Sequence, residues 1–356
     1  MLNSKNFKIL SLLTILSSLI SCYSITTSKD NFQDQDVTTQ SIRDITGLTA
    51  KSIAGWKSHL LDVSLDGGSI QKDCEPFYKL AKGKVKGNVM LFHGFTSCPQ
   101  QYQELSEILA NNGFNVFVPL LPGHGQKPIV QNQKIVDYTQ KLADLQTVGI
   151  YENFSKKMGA MLKDEPGIKV VAGLSVGGTI AAKAMLTNPD VYDRGLLMTP
   201  FFNASSYNSI LLPVLGPFIP NKEIGWGAAC EDQRKLGRAG YCNFKLANVA
   251  AVRKFGLDTL KQLDSIKKPI QIIGVEQDSA ASNKEIGQAV RKINGSKGCF
   301  FPKGTSHSML SRQDNVNKDM FWLSALKSQI LDYVKTGKSF DVVGKSEEEL
   351  GLCRYK

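Results

Sequence analysis

From about residue 84 the chain alternates short apolar runs with longer amphipathic segments, and this alternation restricts its fold more than any other feature. The runs are Asn88-Val-Met-Leu-Phe92, Val116-Phe-Val-Pro119, Lys169-Val-Val-Ala-Gly-Leu174, Gly195-Leu-Leu-Met198, Ile270-Gln-Ile-Ile-Gly-Val275 and Cys299-Phe-Phe301. Each is short and bounded by Gly, Pro or polar residues, as strands covered on both faces are. Helical stretches are expected between them at 100–112, 137–162, 178–187, 284–293 and 315–336. Alternating strand and helix implies right-handed crossovers and a mostly parallel sheet flanked by helices, an α/β fold.

The interval 201–268 breaks the pattern. It holds Ile210-Leu-Leu-Pro-Val-Leu-Gly-Pro-Phe-Ile-Pro220, whose three prolines oppose both a long helix and a central strand. Falling between the fourth and fifth runs, it reads as a lid inserted over the sheet. A length of 356 residues with 42% apolar content supports one large domain or two medium ones. The same composition excludes a disordered or collagen-like chain. The organisation expected is one main domain over 46–340, with the lid at 201–268 and a tail at 341–356.

Gly173-Leu-Ser175-Val-Gly177-Gly178 follows one expected strand and opens an expected helix. That context suits a serine nucleophile, because a sharp strand-to-helix turn needs glycines around the strained residue. The helix start also offers free N–H groups to developing negative charge. An activated serine needs a base, and the chain has four histidines: His59, His93, His124 and His307. His307, in Gly304-Thr-Ser-His-Ser, lies just past the last run, where functional groups of an open α/β sheet gather. Asp278, just past Ile270–Val275, is the first candidate to orient that base, and Glu276 the second. The order Ser175, Asp278, His307 is that of α/β hydrolases. Phe95 in Phe92-His-Gly-Phe95 and Val176 after the serine are the expected N–H donors of an oxyanion hole. His93 and His124 sit in Gly-flanked turns without a Cys/His/Asp cluster, so loop-orienting roles are expected and no metal or cofactor is called for. His59 reads as surface or N-terminal packing.

The set HGFTSCPQQY, VPLLPGHG, GLSVGG, Asp278 and GTSHS resembles the α/β-hydrolase branch of monoacylglycerol lipases, carboxylesterases and serine aminopeptidase-like "hydrolase-4" proteins. The resemblance covers about residues 84–335 and is weakest across the lid. It implies Ser175 as nucleophile, His307 as general base, Asp278 as its orienter and Phe95 and Val176 as oxyanion donors. Ser279-Ala-Ala-Ser282 departs from the Val and Pro residues common after the acid in relatives, and the 23–83 segment has no counterpart.

The N-terminus carries Lys5 and Lys8, then an uncharged apolar run over 9–20 that ends in Leu19-Ile-Ser-Cys22. It resembles a bacterial lipoprotein signal over 1–21, which implies cleavage before Cys22 and acylation of that cysteine. The alternative is a plain secretory signal. A polar tether over 22–45 follows, and an exported, membrane-tethered protein of the cell envelope is expected. Six further cysteines then make disulfides plausible, Cys230–Cys242 first, with buried free thiols the alternative.

The activity expected is hydrolysis of carboxylic esters, with a small-molecule ester or lipid as substrate and the apolar stretch of the lid suited to an acyl chain. An aminopeptidase or amidase is the second reading, for which Glu223, Glu231 and Asp232 of the lid would hold a substrate ammonium. A non-catalytic envelope binding protein is the third. The net charge of +11 fits an anionic membrane surface, while the export signal and the absence of a clustered basic-aromatic motif disfavour nucleic acid.

Overall fold

Side chains alternate across a strand, so a run is uninterruptedly apolar only where both faces are covered. The computed structural model describes residues 47–65, 69–127, 129–131, 134–137, 141–205, 218–316, 318–339 and 354–355. The expected signal, tether and Cys22 lie outside these residues, as does 206–217 of the lid. The described strands are β1 (Phe77–Lys79), β2 (Gly87–Phe92), β3 (Phe114–Val118), β4 (Ile129–Gln131), β5 (Lys134–Asp137), β6 (Ile168–Leu174), β7 (Arg194–Met198), β8 (Glu223–Gly225), β9 (Asn243–Lys245), β10 (Ile270–Val275), β11 (Lys297–Phe301) and β12 (Arg354–Tyr355). The helices are α1 (Ala50–Leu65), α2 (Gln103–Asn111), α3 (Ile150–Leu162), α4 (Val176–Thr187), α5 (Ala228–Lys235), α6 (Leu246–Gln262), α7 (Asn283–Lys292) and α8 (Leu323–Thr336).

Eight strands form one sheet in the order β1-β3-β2-β6-β7-β10-β11-β12. The inner six run parallel, and β1 and β12 are antiparallel edges. The sheet divides two apolar layers. Met90 and Phe92 of β2 enter one layer, and Val89 and Leu91 enter the other. On β10, Ile270 and Ile272 face the first layer while Ile273 and Val275 face the second. Each such side chain is worth about 1.5–3 kcal/mol when fully buried.

The segment before residue 84, without a counterpart in the resembled family, packs within the domain: α1 lies on α3, and Trp56 joins the first apolar layer. Ser52 Oγ donates to Met161 O (2.8 Å), and Glu165 Oε1 accepts from Thr49 N and Oγ1 at 2.8 Å each. The helix expected over 137–162 begins only at Ile150, because Asp144 Oδ1 accepts from Gln146 N (2.9 Å) and Thr147 N (3.0 Å) and closes a turn there. The helix expected from 315 starts at Leu323, since Asn315 Nδ2 is spent on Ser308 O (2.7 Å) and Ser311 O (2.8 Å). Finally, α6 lies inside the interval assigned to the lid but packs on α4, with Val252, Phe255 and Leu260 in the first layer. The tail also returns, and β12 pairs with β11.

Three histidines are buried away from bulk water. His59 Nε2 accepts from Leu120 N (3.2 Å), and His93 Nε2 from Leu121 N (3.0 Å). His124 is set by a contact of Nδ1 to Pro122 O (3.0 Å). Burial, with the nearby Lys157 cation, lowers His59 to about 4. Burial also lowers His124 to about 4, and it lowers His93 well below its usual range. Unfolded histidines titrate near 6.5, so below that pH the unfolded chain binds the extra protons and folding is disfavoured. Stability should therefore fall as pH drops from about 6.5 towards about 4, by up to about 3 kcal/mol for each of His59 and His124, with His93 adding in the same direction. Thermal melts across that window should show the loss. His59→Gln, which keeps an acceptor for Leu120 N–H but cannot titrate, should make the loss shallower; an unchanged pH profile would refute the assignment.

Candidate active site

Ser175 stands between β6 and α4 with φ 57° and ψ −121°. A non-glycine residue there costs on the order of 1–3 kcal/mol, so the surroundings must hold it. They do so through its main chain: Ser175 N–H donates to Met198 O (2.9 Å), and its carbonyl accepts from Phe201 N (3.0 Å) and Thr179 N (3.2 Å). The glycines on either side are needed for space. A Cβ at Gly173 would collide with the carbonyl of Gly177, and one at Gly177 with the carbonyl of Phe92. The result is a serine pinned at the carboxyl end of a central strand, against the start of a helix.

Asp278 and His307 come from the loops after β10 and β11. His307 Nδ1 meets Asp278 Oδ2 at 2.8 Å, with the Asp278 side chain wholly buried. Asp278 Oδ1 accepts from Ala280 N (2.8 Å) and Ala281 N (2.9 Å). Burial alone would push this carboxyl up, but His307 and the two amides outweigh it and hold the carboxyl below its ordinary value. Of the two acids weighed for this histidine, Asp278 makes the contact. The unusual Ser279-Ala-Ala-Ser282 segment thus has a local use: it supplies both amides. It is also tied to the segment that follows β7, through Ser205 N to Ala280 O (2.9 Å) and Ser282 N to Asn203 O (3.0 Å).

Ser175, Asp278, His307, Phe95 and Val176 all line one cavity of about 610 Å³. Val176 opens α4, so its N–H has no acceptor within the helix. Its apolar lining is made by Phe201, Ile224, Trp226, Phe244, Val249 and Val252. Its polar end holds Gln101, Arg238 and Asp314, bonded to one another, and Gln233, whose Nε2 donates to Asp314 O (2.7 Å). Sequence reasoning missed this end. Arg238 Nε and Asp314 Oδ1 form a buried ion pair at 2.6 Å, Gln101 Nε2 donates to Asp314 Oδ2 (2.7 Å), and Gln101 Oε1 accepts from Gly94 N (2.9 Å). His93 and His124 stay out of the cavity lining, their ring centroids 5.3 Å apart. Among the described residues no group of His, Cys, Asp and Glu is arranged to hold a metal.

A family model, Hydrolase_4 (serine aminopeptidase, S33), matches residues 83–314. The chain belongs to this family. The Hydrolase_4 match spans the cavity-lining residues from Gly94 to Asp314 and leaves α1 and β1 outside it. A monoglyceride lipase homolog of Monkeypox virus is 27% identical over 263 residues, covering 70% of this chain and 91% of that protein. A thermostable monoacylglycerol lipase of Bacillus sp. (strain H-257) is 31% identical over 117 residues, 33% of this chain and 41% of that protein. The crystal structure of Paleococcus ferrophilus monoacylglycerol lipase superposes with a TM-score of 0.55 at 17% identity, over 74% of this chain and 100% of that one. The Hydrolase_4 chain described here therefore has the α/β-hydrolase fold.

Proposed function

We propose that this Hydrolase_4 protein is a serine hydrolase of carboxylic esters with an acyl chain, monoacylglycerols among them. Ser175 Oγ attacks the ester carbonyl carbon while His307 Nε2 takes the hydroxyl proton. His307 Nδ1–H stays on Asp278, which keeps the ring in the tautomer that can accept. The oxyanion is met by the N–H groups of Phe95 and Val176. On collapse His307 hands the proton to the leaving alcohol, and water then releases the acyl group from Ser175 by the same route.

The observation that favours ester over peptide is the charge inside the cavity. A free α-ammonium needs an uncommitted carboxylate, yet the lining carboxylates are Asp278, held by His307, and Asp314, held by Arg238. Glu231 and Asp232 pair with Arg234 (3.4 Å) and Lys235 (2.9 Å), and Glu223 is exposed, none of the three lining the cavity. The apolar wall suits an acyl chain instead.

The full chain should hydrolyse p-nitrophenyl esters with kcat/KM rising with acyl length, by up to roughly fourfold for each methylene buried, about 0.8 kcal/mol. Aminoacyl p-nitroanilides should be turned over far more slowly. Faster turnover of an arylamide than of every ester would reverse the assignment. Export and lipidation at Cys22 belong to the same proposal, supported by the Cys74–Cys98 and Cys230–Cys242 bridges, which suit an oxidising compartment. Cys22→Ala should move the protein from the membrane fraction to the soluble one, and retention in the membrane would exclude the anchor.

A further inference from the structure

Gly94 to Ser97 form a turn closed by Ser97 N–H to Gly94 O at 3.2 Å. Its third residue, Thr96, has φ 61° and is fully buried. That position suits Gly or Asn, and a β-branched residue enters it only under constraint. The constraint comes from a segment 130 residues away. Trp226 Nε1–H donates to Thr96 Oγ1 (2.8 Å), and Thr96 Oγ1–H in turn donates to Phe95 O (2.6 Å). Tyr241 N–H donates to Thr96 O (2.7 Å). Phe244 stands between Phe95 and Trp226, with ring centroids 5.3 and 5.1 Å away. The segment is itself closed by the Cys230–Cys242 bridge and by Trp226 N–H to Cys242 O (3.0 Å).

We propose that Trp226, acting through the Thr96 hydroxyl, is a positioning residue that aims the Phe95 N–H at the oxyanion, an inference that rests on the ester-hydrolase reading. The Thr96 hydroxyl has one hydrogen, and the indole N–H on its lone pair leaves that hydrogen to the Phe95 carbonyl. With Ser97 N–H holding Gly94 O, Phe95 is fixed from both sides. The oxyanion exists only in the transition state and the tetrahedral intermediates beside it, so a loosened turn is felt in kcat and scarcely in KM.

The test uses the full-length chain and p-nitrophenyl butyrate. Trp226→Phe should lower kcat about tenfold, a fraction of what loss of a whole oxyanion donor costs, with KM held within about twofold. Thr96→Val keeps the side-chain shape but lacks the hydroxyl that links Trp226 to the Phe95 carbonyl, so it should lose at least as much. Thr96→Ser should retain activity. The double variant Trp226→Phe/Thr96→Val should be no slower than Thr96→Val alone, because both substitutions break one chain of bonds. Wild-type kcat in Trp226→Phe, additive losses in the double variant, or equal activity of Thr96→Val and Thr96→Ser would each overturn the proposal. Should Trp226→Phe fail to fold, the Val and Ser variants decide it. Absent ester turnover by the wild type would count against the functional reading alone, because the same variant ratios can be read from the rate of fluorophosphonate labelling of Ser175.

Discussion

Ser175→Ala is expected to lower kcat towards a preferred acyl ester by about five orders of magnitude or more. The size follows from what the serine alone supplies. In the proposed acyl-enzyme route its Oγ is the attacking atom and the group that His307 deprotonates, so the whole covalent path is lost with it. What survives is the binding of the ester in the cavity and the two N–H donors, enough for roughly 10³–10⁴-fold over the uncatalysed reaction in serine hydrolases whose triads have been removed. KM should stay within a few-fold, because the acyl wall of Ile224, Phe244 and Val249 is untouched. Stability should change little as well. Alanine at φ 57° is strained as serine is, and the bonds that hold position 175 run from its main chain to Met198, Phe201 and Thr179. The measurement is steady-state hydrolysis, together with fluorophosphonate labelling and a thermal melt. A folded variant that kept one per cent of wild-type turnover would require a different nucleophile.

The strands that carry the site were legible because they are buried on both faces, which leaves an apolar signature such as Val89–Phe92 or Ile272–Val275. The nucleophile motif was legible because its glycines are demanded by contacts only a few residues long, Gly173 against Gly177 and Gly177 against the end of β2. What stayed hidden lacks such a local signature. β1 is three half-buried residues at an edge, too short to show a period. α6 falls inside a lid interval defined by its prolines, yet its apolar residues pack on α4 in the first apolar layer. Asp144-Leu-Gln-Thr147 did hold a readable turn signal, an acid two and three residues before the amides it captures. The polar end of the cavity was out of reach: Arg238 and Asp314 look like ordinary surface charges, and only the tertiary fold buries them together 76 residues apart. The same holds for Trp226 and Thr96, which no pattern along the chain connects.

Asp278→Asn should cost about four orders of magnitude in kcat while the protein stays folded. The reason lies in how few ways an amide can sit there. The carboxylate uses one oxygen on His307 Nδ1 and the other on the amides of Ala280 and Ala281. Both backbone groups are donors, so the asparagine must turn its single oxygen towards them. Its NH₂ group then faces His307 Nδ1, and two donors cannot share that contact unless the ring gives up its Nδ1 proton. The histidine is thereby driven into the tautomer with hydrogen on Nε2, the atom that accepts the Ser175 proton in the proposed route, and the base is lost although every residue remains in place. Turning the amide the other way would leave two backbone N–H groups opposed by a donor, at about 1–3 kcal/mol for each unsatisfied group, so the first arrangement wins. The pair of amides supplied by the Ser279-Ala-Ala-Ser282 loop therefore decides the outcome, and it makes a further distinction. Asp278→Ala removes the tautomer constraint instead of reversing it, and the ring can then reach the productive form part of the time. The alanine variant should match or exceed the asparagine variant in kcat, despite losing more of the side chain. Measuring both kcat values at one pH, with thermal melts to confirm folding, tests the argument; an asparagine variant clearly faster than the alanine variant would mean that the Ala280 and Ala281 amides do not dictate how residue 278 faces His307.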